Sequence, residues 1–194
     1  LIGITNGMYA GGISGGGTMK IEAAAIPFGE GKLIKGFLLG DTAQESHLRT
    51  LTFVKMNAEK YGINPELFKT CDFYLSAQSY ESSNGPSAGI AQAVALISAL
   101  TKRAVRPGWA ITGAMDTYGT LLPVGGYRAK ILGTAATGIN NFIIPECARP
   151  TIEALAKDLQ GLNIVFAVTI DDALNLLLEP AVPVRSEETL TKYR

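Results

Sequence analysis

Gly85-Pro86-Ser87-Ala88-Gly89-Ile90-Ala91-Gln92-Ala93-Val94-Ala95-Leu96-Ile97-Ser98-Ala99-Leu100-Thr101 is the stretch that decides the fold. From Ser87 to Thr101 it is apolar on nearly every helical face, so the helix it forms must be covered on all sides. Its apolar run, Ala88 to Leu100, is interrupted by Gln92 and Ser98 and is too short for a membrane span, which takes about 20 residues. It reads as the central core helix of a globular domain.

The segments on either side alternate between two periods. Met19, Ile21, Ala23 and Ala25 point one way along a strand, and Pro27 to Gly31 break it, with a hairpin expected to Leu33–Phe37. From Asp41 the spacing of Leu48, Leu51, Val54, Ala58 and Tyr61 predicts an amphipathic helix of about five turns ending at Gly62. Cys71, Phe73, Leu75 and Ala77 alternate as a second strand, followed by a polar loop from Gln78 to Pro86. Beyond the central helix come a strand near Trp109–Gly113, a turn at Asp116–Gly119, a short strand to Pro123 and a helix over Gly126–Thr137. Then follow a strand at Phe142–Ile144, a helix at Thr151–Leu159, a strand at Ile164–Val168 and a helix at Asp171–Leu178. Such alternation predicts an α/β fold, with mixed sheets packed by helices around the central apolar one. Residues 1–179 form the expected domain and 180–194 a loosely held tail.

The 194 residues carry 17 Lys plus Arg against 17 Asp plus Glu, with 47% hydrophobic residues. With no basic cluster longer than Lys102-Arg103, the electrostatic footprint of a nucleic-acid binder is missing. The single histidine, His47, and the two distant cysteines, Cys71 and Cys147, provide no metal-ligand spacing. Both cysteines are expected as buried free thiols. Residues 1–17 lack the basic and apolar regions of a signal peptide, and no membrane span is expected, which predicts a cytoplasmic protein.

Gly85-Pro86-Ser87-Ala88-Gly89 fits G-x-S-x-G, a pattern that places a nucleophilic serine on a turn entering a helix. Ser87 also suits an ordinary N-cap after a Gly-Pro turn, and the pentapeptide leaves both roles open. In the nucleophilic role, an oxyanion hole would draw on the N–H groups of Ser87 and of Gly85 or Asn84, because Pro86 has none. No histidine follows Ser87, which excludes the Ser-acid-His order of α/β-hydrolases. His47, Asp72 and Ser87 would formally permit a chymotrypsin-like order, but His47 falls in a helix and reads as a partly buried structural residue. A neutral lysine could serve instead, provided burial lowers its pKa from about 10.4 to about 7.5 to 8. Lys130, between Ala129 and Ile131 after the apolar and glycine stretch Leu121–Gly126, offers such a setting.

Asn84-Gly-Pro-Ser-Ala-Gly89, Thr112-Gly113, and Leu122-Pro-Val-Gly-Gly126 with Lys130 four residues on resemble the proteolytic domain of Lon proteases. Upstream, Ile21-Glu22-Ala23, Gly31-Lys32-Leu33, Leu39-Gly40, Gln44-Glu45-Ser46 and Gly62-Ile63-Asn64-Pro65 resemble its N-terminal half, so the likeness runs from Gly3 to about Leu178. The resemblance implies an α/β serine endopeptidase with Ser87 as nucleophile and Lys130 as general base and later proton donor. It implies that Thr112 accepts a hydrogen bond from the lysine amine and holds it towards Ser87. It also implies a homo-hexameric ring that degrades unfolded polypeptides delivered by an ATPase module.

Three positions depart from the family pattern. Asn84 stands where Asp is common, Ala114 where Glu usually follows Thr-Gly, and Tyr74–Glu81 contains none of the usual histidines. These bear on substrate preference and regulation more than on the chemistry. Gly31-Lys32 is followed by Leu33 and is no Walker A loop, so no ATP or Mg2+ site is expected in this chain. The chain is expected to be either a fragment of a longer ATP-dependent enzyme or a stand-alone Lon-like peptidase, and the abrupt start at Leu1 favours excision or processing. A protease of limited, site-specific processing, as in viral polyproteins, and a catalytically silent ring-assembly module that binds peptides are the competing expectations.

Overall fold

The structure is a computed structural model, which describes residues 1–11, 15–35, 41–78 and 86–180. The elements run β1 (Ile4–Ala10), β2 (Gly16–Pro27), β3 (Leu33–Lys35), α1 (Asp41–Met56), α2 (Leu67–Thr70), β4 (Cys71–Gln78) and α3 (Gly89–Thr101). They continue with β5 (Trp109–Ile111), β6 (Ala114–Met115), β7 (Leu121–Leu122), α4 (Tyr127–Ala135), β8 (Asn141–Pro145), α5 (Arg149–Ala154), β9 (Asn163–Ala167) and α6 (Ile170–Leu177).

Seven strands form one mixed sheet in the order β3-β4-β2-β1-β5-β8-β9. β1, β5, β8 and β9 are mutually parallel, β2 is antiparallel to both of its neighbours, and β3 runs parallel to β4. Six strands therefore share one direction and β2 alone opposes them. Alternate strand residues serve two cores, as the period of two requires. Met19, Ile21, Phe73, Leu75, Ile111 and Ile143 pack with α1, α3 and α6. Met8, Ala110, Phe142 and Ile144 pack with Tyr127 and Ile131 of α4 and Ile152 of α5. The result is a three-layer α/β sandwich, and α3 is its central helix, with every residue from Gly89 to Leu100 buried.

Several expectations change. β1 is an additional strand, pairing with β2 from Ile4↔Glu22 to Ala10↔Gly16. The hairpin expected between β2 and β3 does not form, because β4 takes the free edge of β2 and β3 pairs with the far edge of β4. Asp72 explains the detour. Its Oδ1 accepts the N–H groups of Glu30 (2.9 Å) and Lys32 (2.8 Å), wrapping the 28–32 turn around the start of β4. These N–H donors hold its carboxyl below the usual range.

The first long helix stops at Met56, and a 3-10 turn at Glu59–Tyr61 carries the chain on to Gly62. Leu48 faces solvent, since the buried stripe runs through His47, Thr50, Leu51, Phe53 and Val54. His47 is fully rather than partly buried. Cys71 is buried but Cys147 is exposed, contrary to the expected pair of buried thiols. Except for Pro180, the expected tail lies outside the described residues.

Candidate functional site

Ser87 does not cap α3. The chain enters the helix through a 3-10 turn, Pro86–Ala88, so the N-cap is Ala88 and no side chain serves there. The Ser87 hydroxyl is left without a hydrogen bond among the described residues, and the residue is half-buried at the mouth of the helix. Its backbone is fixed by the link between β5 and β6. Gly113 N–H donates to the Ser87 carbonyl (3.1 Å), and Ile90 N–H donates to the Gly113 carbonyl (3.4 Å). This double exchange places the serine turn at the carboxyl end of β5, where open α/β sheets place their ligands.

Thr112 is fully buried. Its hydroxyl lies 3.5 Å from the Ser87 carbonyl, a long contact in which Thr112 donates. The expected hydrogen bond from a lysine amine to Thr112 is not present among the described residues, so here the threonine touches the serine's own backbone. Asn84 and Gly85 lie outside the described residues.

Lys130 comes from the opposite layer. It sits on α4, 4% exposed, and no carboxylate pairs with it among the described residues. Loss of hydration is the sole cause of a pKa lowered to about 8. A lysine in this state is partly neutral near physiological pH and able to accept a proton. Ser87 and Thr112 are thus joined directly through one carbonyl, while Lys130 is placed by a separate layer with no hydrogen bond to either.

The histidine alternative that residue order left open fails on geometry. His47 is enclosed within α1's packing, and the Asp72 carboxylate is engaged by the 28–32 turn. Beside the serine turn lies a cavity of about 220 Å3 whose walls include Pro86, Gly89, Ala114, Met115, Ser46 and Arg49. Arg49 is the cation on this wall, and nothing in its local sequence marks it out. Its guanidinium is shared between Glu45 (2.6 Å) and the Met115 carbonyl (3.4 Å). Among the described residues no three His, Cys, Asp or Glu side chains gather as a metal site. No described helix is long and apolar enough to cross a membrane.

The three-layer α/β domain thus presents a serine that caps nothing at a helix entrance and a buried lysine with no carboxylate partner among the described residues. The chain belongs to the Lon protease (S16) C-terminal proteolytic domain family, whose family model matches residues 1–180. It is 36% identical over 168 residues to the Lon protease of Phenylobacterium zucineum (strain HLK1), covering 86% of this chain and 21% of that protein. It is likewise 36% identical over 179 residues to Lon protease 2 of Thermus thermophilus, covering 91% and 22%. Against the Lon protease of Escherichia coli (strain K12) the identity is 36% over 167 residues, covering 85% and 21%. The chain spans about a fifth of the length of the curated relatives it matches.

Proposed function

We propose that the chain is a serine endopeptidase domain that cleaves peptide bonds in unfolded or damaged polypeptides through Ser87 and Lys130. The observation that carries this reading is Lys130 itself, an amine buried without a counter-charge among the described residues, a setting typical of functional lysines. In the proposed reaction, neutral Lys130 Nζ takes the Ser87 hydroxyl proton as Oγ attacks the scissile carbonyl carbon. The resulting ammonium gives that proton to the leaving amine, and the C–N bond breaks to leave an ester on Ser87. Water then attacks the ester, with Lys130 taking its proton and returning it to Oγ, which releases the acid product. Backbone N–H groups around the serine turn are suited to holding the developing oxyanion. The cavity beside Pro86 and Gly89 is suited to a substrate side chain.

On the same reading the domain works as a subunit of a homo-hexameric ring, fed by an ATPase module in cis or in trans, in the quality control of cytoplasmic proteins. The relatives' greater length leaves room for such a module.

The test is cleavage of an unstructured protein, together with labelling by a fluorophosphonate probe. Ser87→Ala should abolish both, and Lys130→Met should lower cleavage by about 10^3-fold or more while melting cooperatively. The wild-type rate should rise with a midpoint near pH 8, as Lys130 loses its proton. Cleavage that persists in either variant, or a rate flat from pH 6 to 9, would sink the assignment. Cleavage at a few sites only would favour limited processing, and no labelling at all would favour a silent assembly module.

A further inference from the structure

The layer that carries Lys130 is seated unusually close to the sheet. α4 packs on β1 and β2, and at the turn end of that hairpin the two backbones touch. A Cβ on Gly16 would lie 2.4 Å from the Ala129 carbonyl oxygen, the residue just before the lysine. A Cβ on Gly133, one turn later, would lie 2.2 Å from the Gly16 carbonyl oxygen and 2.8 Å from the Gly17 nitrogen. These neighbours are backbone atoms and cannot swing aside. The same approach is fastened further along, where Thr137 Oγ1 donates to the Thr134 carbonyl (2.7 Å) and therefore accepts from Thr18 Oγ1 (3.1 Å).

We propose that Gly16 and Gly133 are positioning residues that set the depth of Lys130. Missing side chains at these two places let α4 settle onto the hairpin, and that contact keeps water from the amine. The inference rests on the lysine-base reading above, and it extends the machinery to residues that touch no substrate.

Among the described residues, charged groups around α4 do not offer another explanation of the lysine's state. β1 brings no carboxylate or cation of its own to α4. On β2, Lys20 and Glu22 pair with each other (2.7 Å). On α4 itself Arg128 is engaged by Asp158 (2.7 Å), and the Tyr127 hydroxyl accepts the Val124 N–H (3.0 Å). β8 contributes Asn141, and on α5 Arg149 and Glu153 form a surface group with Glu146. Depth, not a neighbouring charge, is the variable the fold controls.

The experiment is the pH dependence of kcat/KM for a short peptide with wild type, Gly133→Ala and Thr18→Val. Gly133→Ala should lift α4, hydrate the amine and move the alkaline limb up by about one pH unit. Its rate would then be about tenfold lower at pH 7 yet within twofold of wild type at pH 10. Thr18→Val, which keeps the glycine contact and loses one hydrogen bond, should give a smaller shift in the same direction and remains informative if Gly133→Ala does not fold. A uniform loss at every pH, or an unmoved limb in the folded variants, would overturn the proposal. A wild-type profile with no alkaline limb would count against the lysine base itself, and the inference would fall with it.

Discussion

The N–H of Gly113 donates to the carbonyl of Ser87 at 3.1 Å, so the backbone of the strand layer holds the turn that presents the serine. Gly113 has φ +151°, and a Cβ there would lie 2.3 Å from Ile90 Cδ1 and 2.7 Å from Pro145 Cγ. Gly113→Ala should therefore shift the turn and the start of α3 together. The expected result is a stability loss of about 2 kcal/mol with a larger than tenfold fall in peptide cleavage, measured by urea unfolding and by kcat/KM. Unchanged cleavage would mean that the serine turn is held by something else.

Burial of Lys130 has a cost that pH exposes. Its pKa falls from 10.5 to about 8 on folding, so between those values the unfolded chain holds a proton that the folded chain has released. Stability then rises with pH across this window, and the full penalty, of order 3 kcal/mol, applies below it. Lys130→Met should consequently be more stable than wild type at neutral pH by about 1–3 kcal/mol, with the gap closing towards pH 10.5. Denaturant melts of both proteins at pH 7, 9 and 10.5 measure it, and a gap independent of pH would contradict a depressed lysine.

The two cysteines should separate cleanly in a thiol titration. Cys71 is buried in the same core as Phe73 and Leu75, whereas Cys147 is exposed at the rim of a second cavity, of about 540 Å3, beside Gly126 and Tyr127. The native protein should react with one equivalent of an aromatic disulfide reagent within minutes, and with two once unfolded. Two equivalents in the native state would place Cys71 nearer the surface than its packing allows.

Local pattern carried much of the architecture. The all-apolar face count of α3, the alternation in β2 and β4, and the turn at Asp116–Gly119 are properties of neighbouring residues, and each appears where those residues predict. Long-range partners were less legible. β1 contains Asn6 and Gly7, which blunt its alternation, and it is a strand because β2 and the distant β5 both pair with it. β3 goes to β4 rather than β2 because Asp72 captures its approach.

At the site, residue order removed the α/β-hydrolase arrangement, and the placement of His47 in a helix told against a chymotrypsin-like one; the apolar flanks of Lys130 made its burial legible. The 3-10 entry that frees the Ser87 hydroxyl, the attachment of Thr112 to the Ser87 carbonyl and the backbone seat under α4 depend on tertiary approach. No spacing in the chain encodes them.

The position of β1 in the middle of the sheet bears on how the protein is made. Ile4–Ala10 precedes the other strands of this sheet along the chain, yet one of its edges waits for Trp109–Ile111, and Leu1 exchanges backbone hydrogen bonds with Val105. Contacts so far apart in sequence make for slow folding. α4 arrives later still. A nascent chain thus carries its serine well before the sheet and the lysine layer are complete, and the proposed peptidase stays latent during its own synthesis.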